Sequence, residues 1–158
     1  MCLLRASWVL PIVGPPIQDG WVAIEGGRIS AVGDGPPSSG ARSDALQVVD
    51  LGDAAIMPAL VNAHTHLELS WLRGRIGPAS TFLGWVSGMM RERLQSPDGG
   101  DEAYVRASMA AALEEMKVSG TGLVGDISNS LAHLDLLGAS GLDGLVFHEL
   151  IKFRATDP

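Results

Sequence analysis

Two of the four histidines in this 158-residue chain, His64 and His66, stand one residue apart. They follow the run Ala59-Leu60-Val61-Asn62-Ala63, which is apolar but for Asn62. In an extended strand residues i and i+2 point to the same face, so this spacing sets the two imidazoles side by side. Imidazole nitrogens suit Zn²⁺ first and Fe²⁺ second, and Zn–N bonds of about 2.0–2.1 Å are reachable from such a pair. The end of a buried strand is also where parallel α/β folds carry their chemistry. The dipeptide spacing alone is a weak signal, and a catalytic zinc takes about three protein ligands plus water. His133 reads as a solvent-facing residue of a short helix beside Asp135. His148 adjoins Glu149 in a strand, where alternation turns one of the two inward and leaves a third ligand open.

Glu68 is the next residue in phase with His64 and His66. It reads either as a substrate-binding carboxylate at a pocket mouth or as a solvated strand-end acid. Asp126 and Glu149, near the ends of later strands, read first as loop- or helix-capping groups. Trp71, Trp85 and the methionines Met89, Met90, Met109 and Met116 read as core packing rather than as a ligand pocket.

The elements that must position these residues follow from periodicity. Trp8-Val9-Leu10 opens a β region. Trp21 to Glu25 and Arg28 to Val32 flank Gly26-Gly27, a two-residue hairpin signal. Gly33 to Ser43 is a loop by composition, and Gln47 to Leu51 returns to strand. Ala59 to His64 has the character of a strand buried on both faces. Ser80 is placed to cap a helix with Phe82, Trp85, Val86 and Met89 on its apolar face. A second helix starts near Asp101, with Glu102 in its first turn. It buries Val105, Met109, Ala112, Leu113 and Met116, and ends at Gly120. Strand Thr121–Ile127, a short helix about Leu131–Leu137 and strand Leu145–Leu150 complete the pattern. That alternation is an α/β arrangement, a parallel sheet with crossover helices, preceded by a β module over residues 1–57. Residues 58–158 then hold three βα units, less than half of the roughly 250 residues of a complete (β/α)₈ barrel.

Composition narrows the partners. Eleven Lys+Arg against 18 Asp+Glu give a net charge of −7 without a basic cluster, which argues against nucleic acid. The candidate apolar stretch Cys2–Val13 is broken by Arg5 and Pro11, short of the roughly 20 residues a membrane span needs. The same stretch lacks the order of a secretory signal. Cys2 is the single cysteine, which leaves no internal disulfide and fits a reducing, cytoplasmic setting.

Several of these segments together carry a resemblance. Asp50-Leu51-Gly52 followed by Met57-Pro58-Ala59-Leu60-Val61-Asn62-Ala63-His64-Thr65-His66 resembles the amidohydrolase superfamily, in its cytosine deaminase-like and chlorohydrolase-like branch. Gly20 to Gly33 is similar to that family's N-terminal β-sandwich hairpin. Leu72-Arg73-Gly74-Arg75, Phe82 with Trp85, and Gly120-Thr121-Gly122 are similar to the same branch. One position departs: Ala59 stands where the family usually has glycine. The resemblance implies a β-sandwich segment over 1–57, then the first three βα units of an incomplete TIM-type barrel over 58–158. It also implies a divalent metal on His64 and His66, and water activated by that metal for attack on an sp² carbon of a small molecule. The implied reaction is hydrolysis of a non-peptide carbon–nitrogen bond, deamination of a heterocycle or nucleoside foremost. Further ligands and proton-shuttling groups of the family come from its fifth, sixth and eighth strands, which have no counterpart among these residues. The alternative is a non-catalytic half-barrel, or a subunit completed by a second copy or a complementary chain.

Overall fold

The computed structural model describes residues 1–36, 47–95 and 101–150. The chain divides into two compact units, Met1–Pro58 and Ala59–Pro158. Most of the Gly33–Ser43 loop expectation lies outside the described residues.

The first unit is one mixed sheet of five strands. Strand β1 (Cys2–Val9) begins six residues before the Trp8 start that the sequence suggests, because Leu3 and Ala6 are already buried along it. It pairs antiparallel with β2 (Ile17–Glu25), which continues through the expected hairpin into β3 (Arg28–Gly33). Gly26 and Gly27 take φ of +57° and +76°, the left-handed pair that such a turn demands and that side chains resist. On its other side β1 runs parallel to β4 (Gln47–Asp50) and to the short β5 (Ala55–Ile56). Leu3, Trp21 and Ala23 form the core, and the Trp21 indole N–H donates to the carbonyls of Asp34 and Gly35 at 3.2 and 3.1 Å.

The second unit carries three parallel strands in the order β6-β7-β8: Leu60–Thr65, Thr121–Ser128 and Asp143–His148. A 3₁₀ turn, Leu67–Leu72, follows β6, then helices α1 (Phe82–Gln95) and α2 (Glu102–Val118). Helix α3 (Leu134–Ser140) connects β7 to β8. Helix α2 forms as its sequence dictates. The Asp101 carboxylate accepts from the amides of Ala103 and Tyr104, Met109 and Leu113 are buried, and Gly120 follows the helix at φ +87°. Leu113 joins Leu67, Val124 and Leu137 in the core, with Ala112, Met116 and Val146 packed around it.

Three expectations are corrected here. The apolar face of α1 is not core: the helix buries none of its residues, and Phe82 and Trp85 stack on each other in the open at 76% and 43% exposure. Its first-turn cap is the Thr81 hydroxyl, which accepts the Gly84 amide at 3.1 Å, rather than Ser80. Nor is β6 buried on both faces. Leu60 and Val61 are half exposed or more, because among the described residues the strand has one neighbour, β7.

Strand β7 is therefore central. Val124, Asp126 and Ser128 alternate along one face and are fully buried. Gly125 points the other way, beneath β6. A methyl group there would stand 2.7 Å from the Ala63 carbonyl oxygen, so only glycine lets β7 pass this close to the residue before His64. The Ala59 methyl is accommodated in the same manner, against Gly122.

Candidate metal centre

Strand β6 ends at Thr65, and His66 caps the 3₁₀ turn with φ −130° and ψ 80°. The backbone thus remains extended through both histidines, which keeps the i, i+2 relation intact. Their rings meet edge to face with centroids 5.1 Å apart. His64 is exposed and His66 half-buried, so one ring faces solvent while the other leans on the protein. The donor set fits a divalent ion in kind: two soft-to-borderline imidazoles at a strand's C-terminal end. Among the described residues no set of three or more His, Cys, Asp or Glu side chains converges on one point. His148 closes β8, two strands from β6, and its Nε2 lies 3.2 Å from the Asn129 carbonyl oxygen. Among the described residues it therefore does not complete a third-ligand position.

His133 overturns its expectation. It stands immediately before α3, has no exposed surface, and its Nε2 lies 2.9 Å from Asp126 Oδ2. That approach is close enough for an ion pair but off the line of a hydrogen bond. Asp126 Oδ2 and both ring nitrogens are left without a hydrogen-bond partner. Asp126 Oδ1 accepts the Leu67 amide at 2.7 Å. Burial pushes the Asp126 carboxyl above its ordinary value, against the Leu67 hydrogen bond and the attraction of His133 and His66. Asp126 thus does cap a turn, as expected, but from a fully buried position: it fastens the turn after His66 to β7.

Glu68 lies within the 3₁₀ turn rather than on the strand, and is 8% exposed. Its Oε2 accepts from the Ser128 hydroxyl at 2.9 Å and from the Ser130 amide and hydroxyl at 2.8 and 2.6 Å. Its Oε1 accepts the Asn129 amide at 3.0 Å. Burial raises this carboxyl, but the Ser130, Asn129 and Ser128 hydrogen bonds outweigh it and hold Glu68 below its ordinary value. Glu149 is exposed at the end of β8, and its carbonyl accepts the Asn129 side-chain amide at 2.6 Å. A cavity of about 730 Å³ opens beside Glu68, walled by Trp71, Arg93, Arg106, Met109 and Ser130. Trp71 and Met109 are buried, as expected for core, but contrary to expectation they also wall this cavity; the Arg75 guanidinium lies 5.3 and 5.0 Å from the rings of Trp71 and Tyr104.

Sequence reasoning missed the partnership of Asp126 with His133 and that of Glu68 with residues 128–130. A signal for the first existed: Asp126 and Ser128 share a phase with Val124 in an apolar strand, where an unpartnered carboxylate is costly. No spacing rule connects Asp126 to His133, whose approach depends on the turn at Leu131, with φ +58°.

Residues 55–146 match the amidohydrolase family, more than half of the chain. The chain belongs to the amidohydrolase family. A 5-methylthioadenosine/S-adenosylhomocysteine deaminase of Nitratidesulfovibrio vulgaris is 42% identical over 72 residues, which cover 46% of this chain and 16% of that protein. Among solved structures, the aminofutalosine deaminase of Helicobacter pylori in complex with methylthio-coformycin superposes with a TM-score of 0.76 at 26% identity. That likeness takes in 95% of this chain and 35% of the deaminase. An atrazine chlorohydrolase from Arthrobacter aurescens TC1, crystallised with zinc, shares the fold at TM-score 0.75 and 19% identity, over 94% of this chain and 35% of its own. The chain thus spans about a third or less of the lengths of these relatives. The amidohydrolase match takes in His64, His66, Glu68, Asp126 and His133, and stops before His148. Among the described residues no helix is long and apolar enough to cross a membrane.

Proposed function

We propose that this amidohydrolase-family chain supplies the front part of a metal-dependent hydrolase acting on non-peptide carbon–nitrogen bonds of a small molecule, a heterocycle or nucleoside undergoing deamination. The observation that carries the reading is the edge-to-face pair of His64 and His66 at the end of β6, 5.1 Å between centroids, within the family match. His64 and His66 would hold the ion, Zn²⁺ ahead of Fe²⁺. Such an ion supplies Lewis acidity and acidifies water near neutral pH. The chain's own residues do the positioning. Glu68 braces residues 128–130 against the turn and lines the adjoining cavity, where it contributes to substrate binding. The deaminases among the relatives support the reaction class.

The same reading assigns residues 1–57 to one layer of a composite β-sandwich and residues 58–158 to the first three βα units of a TIM-type barrel. It places the protein in the cytoplasm, in keeping with its single Cys2. A second copy or a complementary chain is the partner that the half-exposed faces of β6 favour.

Chelator-competition titration of the purified chain with Zn²⁺ tests the metal assignment. The expected result is weak binding that His64→Ala or His66→Ala abolishes, and no turnover of adenosine-type substrates by this chain alone. Zinc binding that survives both substitutions would refute the site. One equivalent of zinc retained through dialysis against chelator would instead show that the ligand set is complete without further strands.

A further inference from the structure

Strand β6 and the turn that follows carry both candidate ligands, so whatever fixes the backbone at residue 67 fixes the direction of the His66 ring. The β6–β7 ladder does not do this. Its register shifts between the Asn62 and Thr65 pairings, and β6 ends at Thr65, opposite Asp126. Leu67 is fully buried and its amide lies beyond the last strand residue, where a donor without a partner would cost about 1–3 kcal/mol. The Asp126 carboxylate meets that amide at 2.7 Å. Asp126 itself has nowhere to go: it is fully buried, its second oxygen faces His133 at 2.9 Å, and its backbone is held between β6 and β8.

We infer that Asp126 is a positioning residue for the metal centre. By accepting the Leu67 amide through Oδ1 it locks the backbone at His66, and so holds the His66 ring edge to face with that of His64. His133 backs the carboxylate from the other side and keeps it from rotating off the amide. The inference rests on the metal reading for its consequence, but its geometry exists without an ion. Supporting groups behind metal ligands typically change affinity by about 10–100-fold when removed.

The test is NMR of the metal-free 158-residue chain together with Zn²⁺ titration, on the wild type, Asp126→Ala and Asp126→Asn. Asn keeps an acceptor oxygen for the Leu67 amide; Ala removes it. With Asp126→Ala the Leu67 amide should lose its protection from exchange, the contact between the His64 and His66 rings should vanish from the NOE spectrum, and Zn²⁺ affinity should fall about 10–100-fold. Asp126→Asn should restore all three. A folded Asp126→Ala protein that keeps both the ring contact and wild-type zinc affinity overturns the inference. If Asp126→Ala does not fold, an amide-to-ester replacement at Leu67, which deletes only that N–H, is read in the same way and decides. Zinc binding indifferent to His64→Ala and His66→Ala would sink the proposed metal reading. In that case loss of the ring contact in Asp126→Ala still supports the positioning role, and its retention still refutes it.

Discussion

Glu68 shows how much a single carboxylate can be asked to do. Four donors converge on it, two of them backbone amides of successive residues, and charge-assisted bonds of this kind are the strong ones. An amide in its place offers one acceptor oxygen and sets its NH₂ group against a backbone N–H, that of Asn129 or that of Ser130. Glu68→Gln should therefore destabilise the fold by about 1–3 kcal/mol, readable as a lower urea midpoint with an unchanged slope. A wild-type midpoint would mean that the Asn129 and Ser130 amides find other acceptors. The side-by-side placement of the histidines was legible in the sequence, because the i, i+2 rule survives as long as the backbone stays extended; the same rule fails for Glu68, which lies past the end of the strand. The buried location of Glu68 was not legible. The chain leaves the strand at Thr65 and coils into a 3₁₀ turn, which swings residue 68 toward β7. His133 failed for a related reason: a helix-flanking histidine beside an aspartate looks solvated until tertiary packing brings the strand carboxylate of Asp126 to it.

Among the elements, α2 was readable almost residue by residue, since its cap, its buried stripe and its terminating glycine are all local signals. Helix α1 was readable as a helix but not as a surface one. Periodicity reports that an apolar face exists, and only the neighbours decide whether anything covers it. Helices α2 and α3 meet in the apolar core through Leu113 and Leu137, and add one ion pair at its rim. Arg106 and Asp135 meet at 2.6 Å on exposed surface, and the hydrogen bond from Arg106 holds the Asp135 carboxyl below its ordinary value. A depressed carboxyl pKa contributes stability in full above the unfolded value near 4 and loses it as pH falls through the lower folded value. Asp135→Asn should remove that acid-side dependence, with a difference from wild type that shrinks in high salt, as thermal melts between pH 3 and 7 at two ionic strengths would reveal. The β6–β7 contact is steric instead. A methyl group at Gly125 would stand 2.7 Å from the Ala63 oxygen, so Gly125→Ala should cost about 1–3 kcal/mol. It should also displace the strand that carries His64, detectable as shifted imidazole resonances alongside the lower melting temperature. An unperturbed His64 signal in a destabilised Gly125→Ala protein would separate the packing role from the site.

At the scale of the whole chain, the three-stranded sheet presents a problem that local signals do not reveal. The sequence announced β6 as a strand buried on both faces, and its composition is that of such a strand, yet Leu60 and Val61 are 51% and 60% exposed, and on β8 Leu145 and Phe147 are 60% and 52% exposed. Composition records what a strand is built to bury; exposure records what covers it among the described residues. Among the described residues both β6 and β8 stand at the edges of the sheet, each with one strand neighbour. Parallel strands of this composition belong in the interior of a sheet, and an open apolar edge is a template for another chain. The expected consequence is self-association. Sedimentation velocity of the purified chain should show a monomer fraction that falls as concentration rises. Val61→Lys or Phe147→Lys, each placing a charge beside an open edge, should shift the distribution back to monomer while leaving the circular dichroism of the fold in place. A chain that stays monomeric across the same concentrations without substitution would show these faces to be tolerated in water. The partner role proposed for a second copy would then fall, leaving the metal assignment at His64 and His66 to be judged by its own titration.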